Sequence, residues 1–190
     1  MPVTFWSEHR VGWSGLQLLT VTWYRIPILR GRDHYIDDRG ELPVVVGGDE
    51  VQSWLLNPDT ATWTPLGQSP AAAGTSVMYR PGKVMMTGGG TLGVDPVTRA
   101  TGVIDLNGGS PSWRQTAPMA FGRSQHNLVI LPDGKVLVVG GANEVSLVST
   151  HPVLAAEIWD PDSETWTQVA SMARPRMYHS IAILLADGRV

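Results

Sequence analysis

Tyr178 and His179 stand side by side just after Arg174-Pro175-Arg176, at the head of an apolar run that ends in Asp187-Gly188. A phenol oxygen and an imidazole nitrogen at one strand end are two metal-ligand donors. Such a pair suits copper or iron better than magnesium or calcium, which take carboxylates and carbonyls. Successive residues of a regular strand point to opposite faces. The pair can therefore serve one metal only where the strand has not begun its pleat, and Pro175 delays pairing at that place. A Tyr-His pair also serves packing and a hydrogen bond, and the residues alone leave both roles open.

His126, preceded by Gln125, holds the matching place earlier in the chain. The two are candidates for the same mouth of a channel, and a histidine bonded to a loop carbonyl is the competing role. His9, His34 and His151 read as surface or structural groups. Asp133 and Asp187, each followed by glycine, read as turn residues. Glu157, Asp160, Asp162 and Glu164 gather around one hairpin and read as solvated.

The chain that must position these groups has 190 residues, with 43% apolar and 16% charged side chains, which fits a folded globular class. It holds 21 glycines and 14 prolines. Helix interiors tolerate neither well, so many short strands and turns are expected. The net charge of −3 without a basic run argues against nucleic acid as a partner. The absence of cysteine removes disulfides, zinc thiolates and thiol nucleophiles from these residues. No apolar run approaches the ~18 residues of a membrane helix, so no membrane span is expected. The apolar stretch from Leu16 to Ile28 is broken by Thr20, Thr22, Arg25 and Pro27 and lacks the basic start of a signal peptide.

The sequence repeats itself. An apolar strand ending in diglycine occurs at Val44–Gly48, Val84–Gly89 and Val136–Gly141, and tryptophans follow at positions 63, 113 and 166. Asn57-Pro58-Asp59-Thr60-Ala61-Thr62-Trp63 pairs with Asp160-Pro161-Asp162-Ser163-Glu164-Thr165-Trp166, a turn phrase leading into a tryptophan-bearing strand. About four short strands per unit, at a period near fifty, read as blades of a kelch-type β-propeller. A β-sandwich with accidental periodicity is the alternative. The reading is all-β: a partial kelch propeller of about three to four blades over residues 41–190, with the ring not closed. Residues 1–40, with Trp6, Trp13, Trp23 and Tyr24, show no repeat and stay unassigned. The strand returning from Asp187-Gly188 is expected beyond Val190, in a larger protein.

The run from Phe121 to Val190 resembles the galactose oxidase and glyoxal oxidase family of copper-radical oxidases. The residues that carry the resemblance are Arg123-x-x-His126 before Leu131-Pro132-Asp133-Gly134, Pro152-Val153 before Glu157-Ile158, and Arg176-x-Tyr178-His179-Ser180-Ile181 before Asp187-Gly188-Arg189-Val190. Gly74-Thr75-Ser76-Val77-Met78-Tyr79 is similar to the preceding blade. The resemblance implies copper as cofactor, with Tyr178 as axial phenolate and catalytic base and His179 as an equatorial ligand. It implies a small alcohol, aldehyde or carbohydrate substrate, oxidised with O2 to give H2O2, and a secreted protein. It further implies missing blades and a C-terminal domain that carry a cysteine-crosslinked tyrosine and a second histidine. This chain departs from the pattern in having no cysteine, in offering Thr75 where the crosslinked tyrosine would stand, and in placing Gln125 where the family carries a pocket aromatic. The isolated chain is therefore expected to be inactive. The competing reading is a non-catalytic kelch module that presents its loops to a partner.

Overall fold

Turn chemistry sets the chain direction. The computed structural model describes residues 33–36, 43–46, 51–57, 60, 62–91, 96–146 and 150–190. The expectations placed on Trp6, Trp13, Trp23, Tyr24, His9, the Leu16–Ile28 stretch and Gly47-Gly48 lie outside these residues. Leu131 N donates to Lys135 O at 2.8 Å and Gly134 N to Leu131 O at 2.9 Å, with Gly134 at φ 81°. Asp133 Oδ1 accepts from Lys135 N at 3.2 Å. The same bonds recur at Leu185–Arg189, with Asp187 Oδ1 accepting from Arg189 N and Gly188 at φ 85°. Both aspartates are turn residues, as the Asp-Gly spacing indicates. Arg189 also holds the Asp187 carboxyl below the usual carboxylate range.

These turns build three four-stranded antiparallel sheets, each a meander in chain order. The first holds β1 (Asp33–Ile36), β2 (Pro43–Val46), β3 (Gln52–Asn57) and β4 (Thr62–Gln68). The second holds β5 (Thr75–Arg80), β6 (Lys83–Thr87), β7 (Thr101–Asp105) and β8 (Arg114–Gln115). The third holds β9 (Asn127–Ile130), β10 (Val136–Val139), β11 (Ala155–Asp160) and β12 (Thr165–Ser171). No sheet closes on itself, and the three are stacked as successive blades of a propeller.

Stacking follows from the period of two along each strand. In β6, Val84 and Met86 face the first sheet and pack with Leu66, Ile104 and Leu106. Met85 faces the other way and packs with Val103, Leu128, Val136, Val138 and Trp159 of the second and third sheets. A strand covered on both faces reads as a continuous apolar run, which is why Val84-Met85-Met86 carries no polar alternation. The repeating tryptophans are bolts between blades. Trp113 Nε1 donates to Ser53 Oγ of the preceding sheet at 2.8 Å. Trp166 Nε1 does the same one blade later, to Thr101 Oγ1 and Ala117 O, both at 3.1 Å.

Two expectations change. The composition of the apolar run after His179 predicts a strand, but among the described residues Ile181–Leu184 joins no ladder. A strand exists only through its pairing, and no described strand lies against this run. Ile181 and Ile183 are accordingly exposed. Glu157, read as solvated, is fully buried. Its Oε1 lies 2.9 Å from Arg123 Nη2, and its Oε2 accepts from Ala120 N at 2.6 Å. Its place in β11 explains the difference: three of its neighbours along that strand, Ala155, Ala156 and Trp159, are buried too.

Arg123 is likewise fully buried, and its guanidinium also donates to Gly140 O at 3.0 Å and Ala155 O at 2.5 Å. Removing one charge leaves the other uncompensated in the interior. Glu157→Gln should lower the unfolding free energy by about 3 kcal/mol. Replacing both partners together, as Arg123→Met with Glu157→Leu, should recover most of that loss. Urea denaturation of the three variants checks this, and a loss below about 1 kcal/mol in Glu157→Gln would refute it.

Candidate metal centre

Backbone carbonyls seated on diglycines set the position of each inner strand. Gly89 N donates to Arg123 O at 2.8 Å, and one blade later Gly141 N donates to Arg176 O at 2.8 Å. A Cβ on Gly140 would lie 2.6 Å from Arg176 O, so only glycine admits this approach. Gly140 and Gly141 also hold φ of 72° and 80°, which glycine adopts without steric cost. The carbonyl of Arg176 therefore docks on the end of β10, and the next residues start at that end of the third sheet.

They start with a tight turn. Ser180 N donates to Met177 O at 2.9 Å, which leaves Tyr178 and His179 as the two central residues. His179 has φ 64°, in the left-handed region that histidine enters more readily than most side chains. The strand pleat has not begun here, so the alternation that would separate the two side chains does not apply. Their rings stack, with centroids 3.6 Å apart and planes inclined by 29°. Tyr178 is 44% exposed and His179 is exposed beside it. A phenol and an imidazole gathered on an open turn fit copper in donor chemistry. They are two donors only. Among the described residues no group of three or more His, Cys, Asp or Glu gathers to hold a metal.

The left-handed kink recurs along the chain. Ala73 (φ 50°) and Gln125 (φ 57°) occupy it just ahead of β5 and β9, and His179 (φ 64°) occupies it just ahead of the unpaired run Ile181–Leu184. The conformation of His179 is thus a feature of the blade, used here to bring a phenol and an imidazole together.

His126 does not join that pair at the surface. It is 2% exposed and lies beneath the second sheet's diglycine, its Cε1 only 2.5 Å from where a Gly88 Cβ would stand. Thr75 Oγ1 holds its backbone, donating to His126 O at 3.0 Å. Neither ring nitrogen has a hydrogen-bond partner. Burial, together with the Arg123 charge, pushes its pKa down to about 3. Gln125 is half-buried, with Oε1 unpartnered. His151 lies at the surface with Nδ1 3.1 Å from Glu144 Oε1. Asp160 caps its own turn by accepting from Asp162 N at 2.9 Å, and Glu164 pairs with Arg114 across a blade boundary.

One contact at this site escapes sequence reasoning. Asn127, the first residue of β9, donates through Nδ2 to Ser180 Oγ at 3.1 Å. The only sequence signal was a polar residue at a strand start. At the same end of the sheets, a groove of about 600 Å³ is lined by Val97, Arg99, Phe121, Asn143, His151 and Leu154. Tyr178 and His179 are not part of its wall.

The family model for the glyoxal oxidase N-terminus matches residues 74–190. The chain belongs to this galactose and glyoxal oxidase family. It is 33% identical to galactose oxidase of Gibberella zeae over 129 residues, which is 63% of this chain and 19% of that protein. It is 33% identical to aldehyde oxidase GLOX1 of Arabidopsis thaliana over 93 residues, 46% of this chain and 15% of the relative. A fungal alcohol oxidase solved in complex with copper superimposes with a TM-score of 0.63 at 24% identity, covering 83% of this chain and 47% of that one. That likeness shows a shared fold. The matched residues span 19% and 15% of the lengths of these two oxidases. No helix among the described residues is long and apolar enough to cross a membrane.

The burial of His126 sets a pH dependence. Above about pH 6.5 the imidazole is neutral in both folded and unfolded chains, and its contribution is fully present. Below that, the unfolded chain takes up a proton that the folded chain refuses until about pH 3. Stability therefore falls with falling pH, by about 1.4 kcal/mol per unit from this group. Between pH 6.5 and 5 the loss should be about 2 kcal/mol, and it should vanish in His126→Leu. Urea denaturation at the two pH values tests this. An equal pH dependence in the variant would place the titrating group elsewhere.

Proposed function

We propose that this chain is part of the propeller of a copper-radical oxidase, and that Tyr178 and His179 are the ligands it contributes. The observation that carries the reading is the kinked turn that stacks a phenol and an imidazole on an open surface, inside the segment that matches the family. Copper, paired with a tyrosine radical, supplies the electron acceptor for oxidising an alcohol or aldehyde while O2 is reduced to H2O2. With the metal bound, Tyr178 would serve as the base, its phenol oxygen taking the proton of the substrate hydroxyl. His179 holds the metal edge of the site, and the turn fixes both rings before any substrate arrives. The substrate class is a small alcohol, aldehyde or carbohydrate, and the family reading carries an extracellular location with it.

These residues contain no cysteine, so the crosslinked radical tyrosine and the remaining histidine ligand belong to chain outside them. The same lack of cysteine favours one second reading for the chain taken alone, a non-catalytic kelch module.

Residues 1–190 should take up Cu(II) weakly, with affinity reduced at least about tenfold by His179→Ala and by Tyr178→Phe. They should produce no H2O2 from copper, O2 and an alcohol. Calorimetry with paramagnetic resonance of Cu(II), alongside a peroxide assay, measures both. Unchanged copper binding in both variants would defeat the ligand assignment, and peroxide from the unaltered chain would defeat the division of the site.

A further inference from the structure

We infer that Asn127 is a positioning residue for the Tyr178–His179 pair, acting through Ser180; the inference rests on the reading of that pair as metal ligands. Asn127 is 98% buried, since only 2% of it is exposed, at the head of β9 in the third sheet. Its Nδ2 donates to Ser180 Oγ at 3.1 Å. Ser180 closes the turn that contains both ligands, through its own N–H to Met177 O at 2.9 Å. The other end of the turn is fixed by Gly141 N on Arg176 O at 2.8 Å. The pair is therefore clamped on both sides by residues of the third sheet, one backbone bond before it and one side-chain bond after it.

The clamp after the pair is the more discriminating of the two. The docked carbonyl recurs at every diglycine described, at Arg123 as at Arg176. The side-chain bond has a relative one blade earlier, where Thr75 Oγ1 reaches His126 O at 3.0 Å. There it holds a backbone carbonyl, whereas Asn127 holds a side chain next to a candidate ligand. The left-handed φ of His179 needs such over-determination, because a non-glycine residue there relaxes unless its neighbours forbid it. Among the described residues Ile181–Leu184 joins no ladder, and the bonds that flank the pair are those of Gly141 and Asn127. Losing the Asn127 bond frees Ser180, lets His179 leave the kink and separates the two rings.

The test uses the whole 190-residue chain and two readouts. The first is nuclear magnetic resonance of the His179 and Tyr178 ring protons, whose displacement from random-coil positions reports the stack without any metal. Asn127→Leu and Ser180→Ala should each remove most of that displacement, and the double variant should add nothing to either. Asn127→Asp should retain it, because its carboxylate accepts from the Ser180 hydroxyl. The second readout is Cu(II) affinity, which should fall about tenfold in Asn127→Leu and Ser180→Ala. Full ring displacement in folded Asn127→Leu or in Ser180→Ala overturns the inference. Should Asn127→Leu fail to fold, Ser180→Ala alone decides, since that hydroxyl is half-buried and its loss leaves the core intact. If the unaltered chain takes up no copper, the metal reading falls, and the ring displacements still decide whether Asn127 positions the pair.

Discussion

A carbonyl oxygen resting on two glycines is the constraint on which the rest of this structure depends. Arg123 O sits on Gly88-Gly89 and Arg176 O on Gly140-Gly141, each held by the second glycine's N–H at 2.8 Å. Side chains on those glycines would occupy the space the carbonyl needs. The segment leading into β9 is therefore delivered to the end of β6, and the segment after Arg176 to the end of β10. The kink at Gln125 and at His179 follows within three residues of that docking. The buried Arg123–Glu157 pair reinforces the same joint, since its guanidinium donates to Gly140 O while its own carbonyl is held by Gly89. One arginine thus ties two successive blades, with its main chain in one and its side chain in the other.

Blade stacking then needs little more than alternation. Met85 and its neighbours Val84 and Met86 point into different interfaces, so one short strand contributes to both cores. Trp113 and Trp166 add direction to this apolar contact, because each indole N–H finds its partner at one depth of the interface. Ser53 and Thr101 supply it at equivalent places on successive third strands.

The repeat was legible because the features that make it are chemical: a diglycine, a Pro-Asp turn and a tryptophan each do one local job in each blade. The Asp-Gly turns at 133–134 and 187–188 were legible for the same reason. Glu157 was not. A carboxylate near a turn phrase reads as solvated unless its partner is known, and Arg123 lies far from it in sequence. The run after His179 misled differently: its composition suits a strand, but composition cannot supply the neighbour that makes one. For the site, Tyr178 and His179 were legible as residue types, and the need for a broken pleat could be stated in advance from Pro175. The means of breaking it, a left-handed histidine inside a three-bond clamp, depends on contacts with Gly141 and Asn127 that no local pattern reveals. His126 shows the opposite failure. Its spacing to Arg123 copies that of His179 to Arg176, but the kink falls on Gln125 in one blade and on His179 in the next, so the same sequence phrase buries one histidine and exposes the other.

That one-residue slip explains how a repeated scaffold can carry a single site. The docked carbonyl is common to successive blades, but the backbone kinks two residues after it at Gln125 and three residues after it at His179. What the kink presents is decided by which residue stands there. With Gln125 at the kink, the following imidazole is driven under the diglycine, away from water and unable to take a proton until about pH 3. With His179 at the kink, the imidazole turns outward and stacks on Tyr178. The blade reaches its Asp-Gly turn one residue later in the second case, and the extra residue lies between the docked arginine and the kink. The joint is the same in both blades, and one residue of difference ahead of the kink decides which side chains it presents.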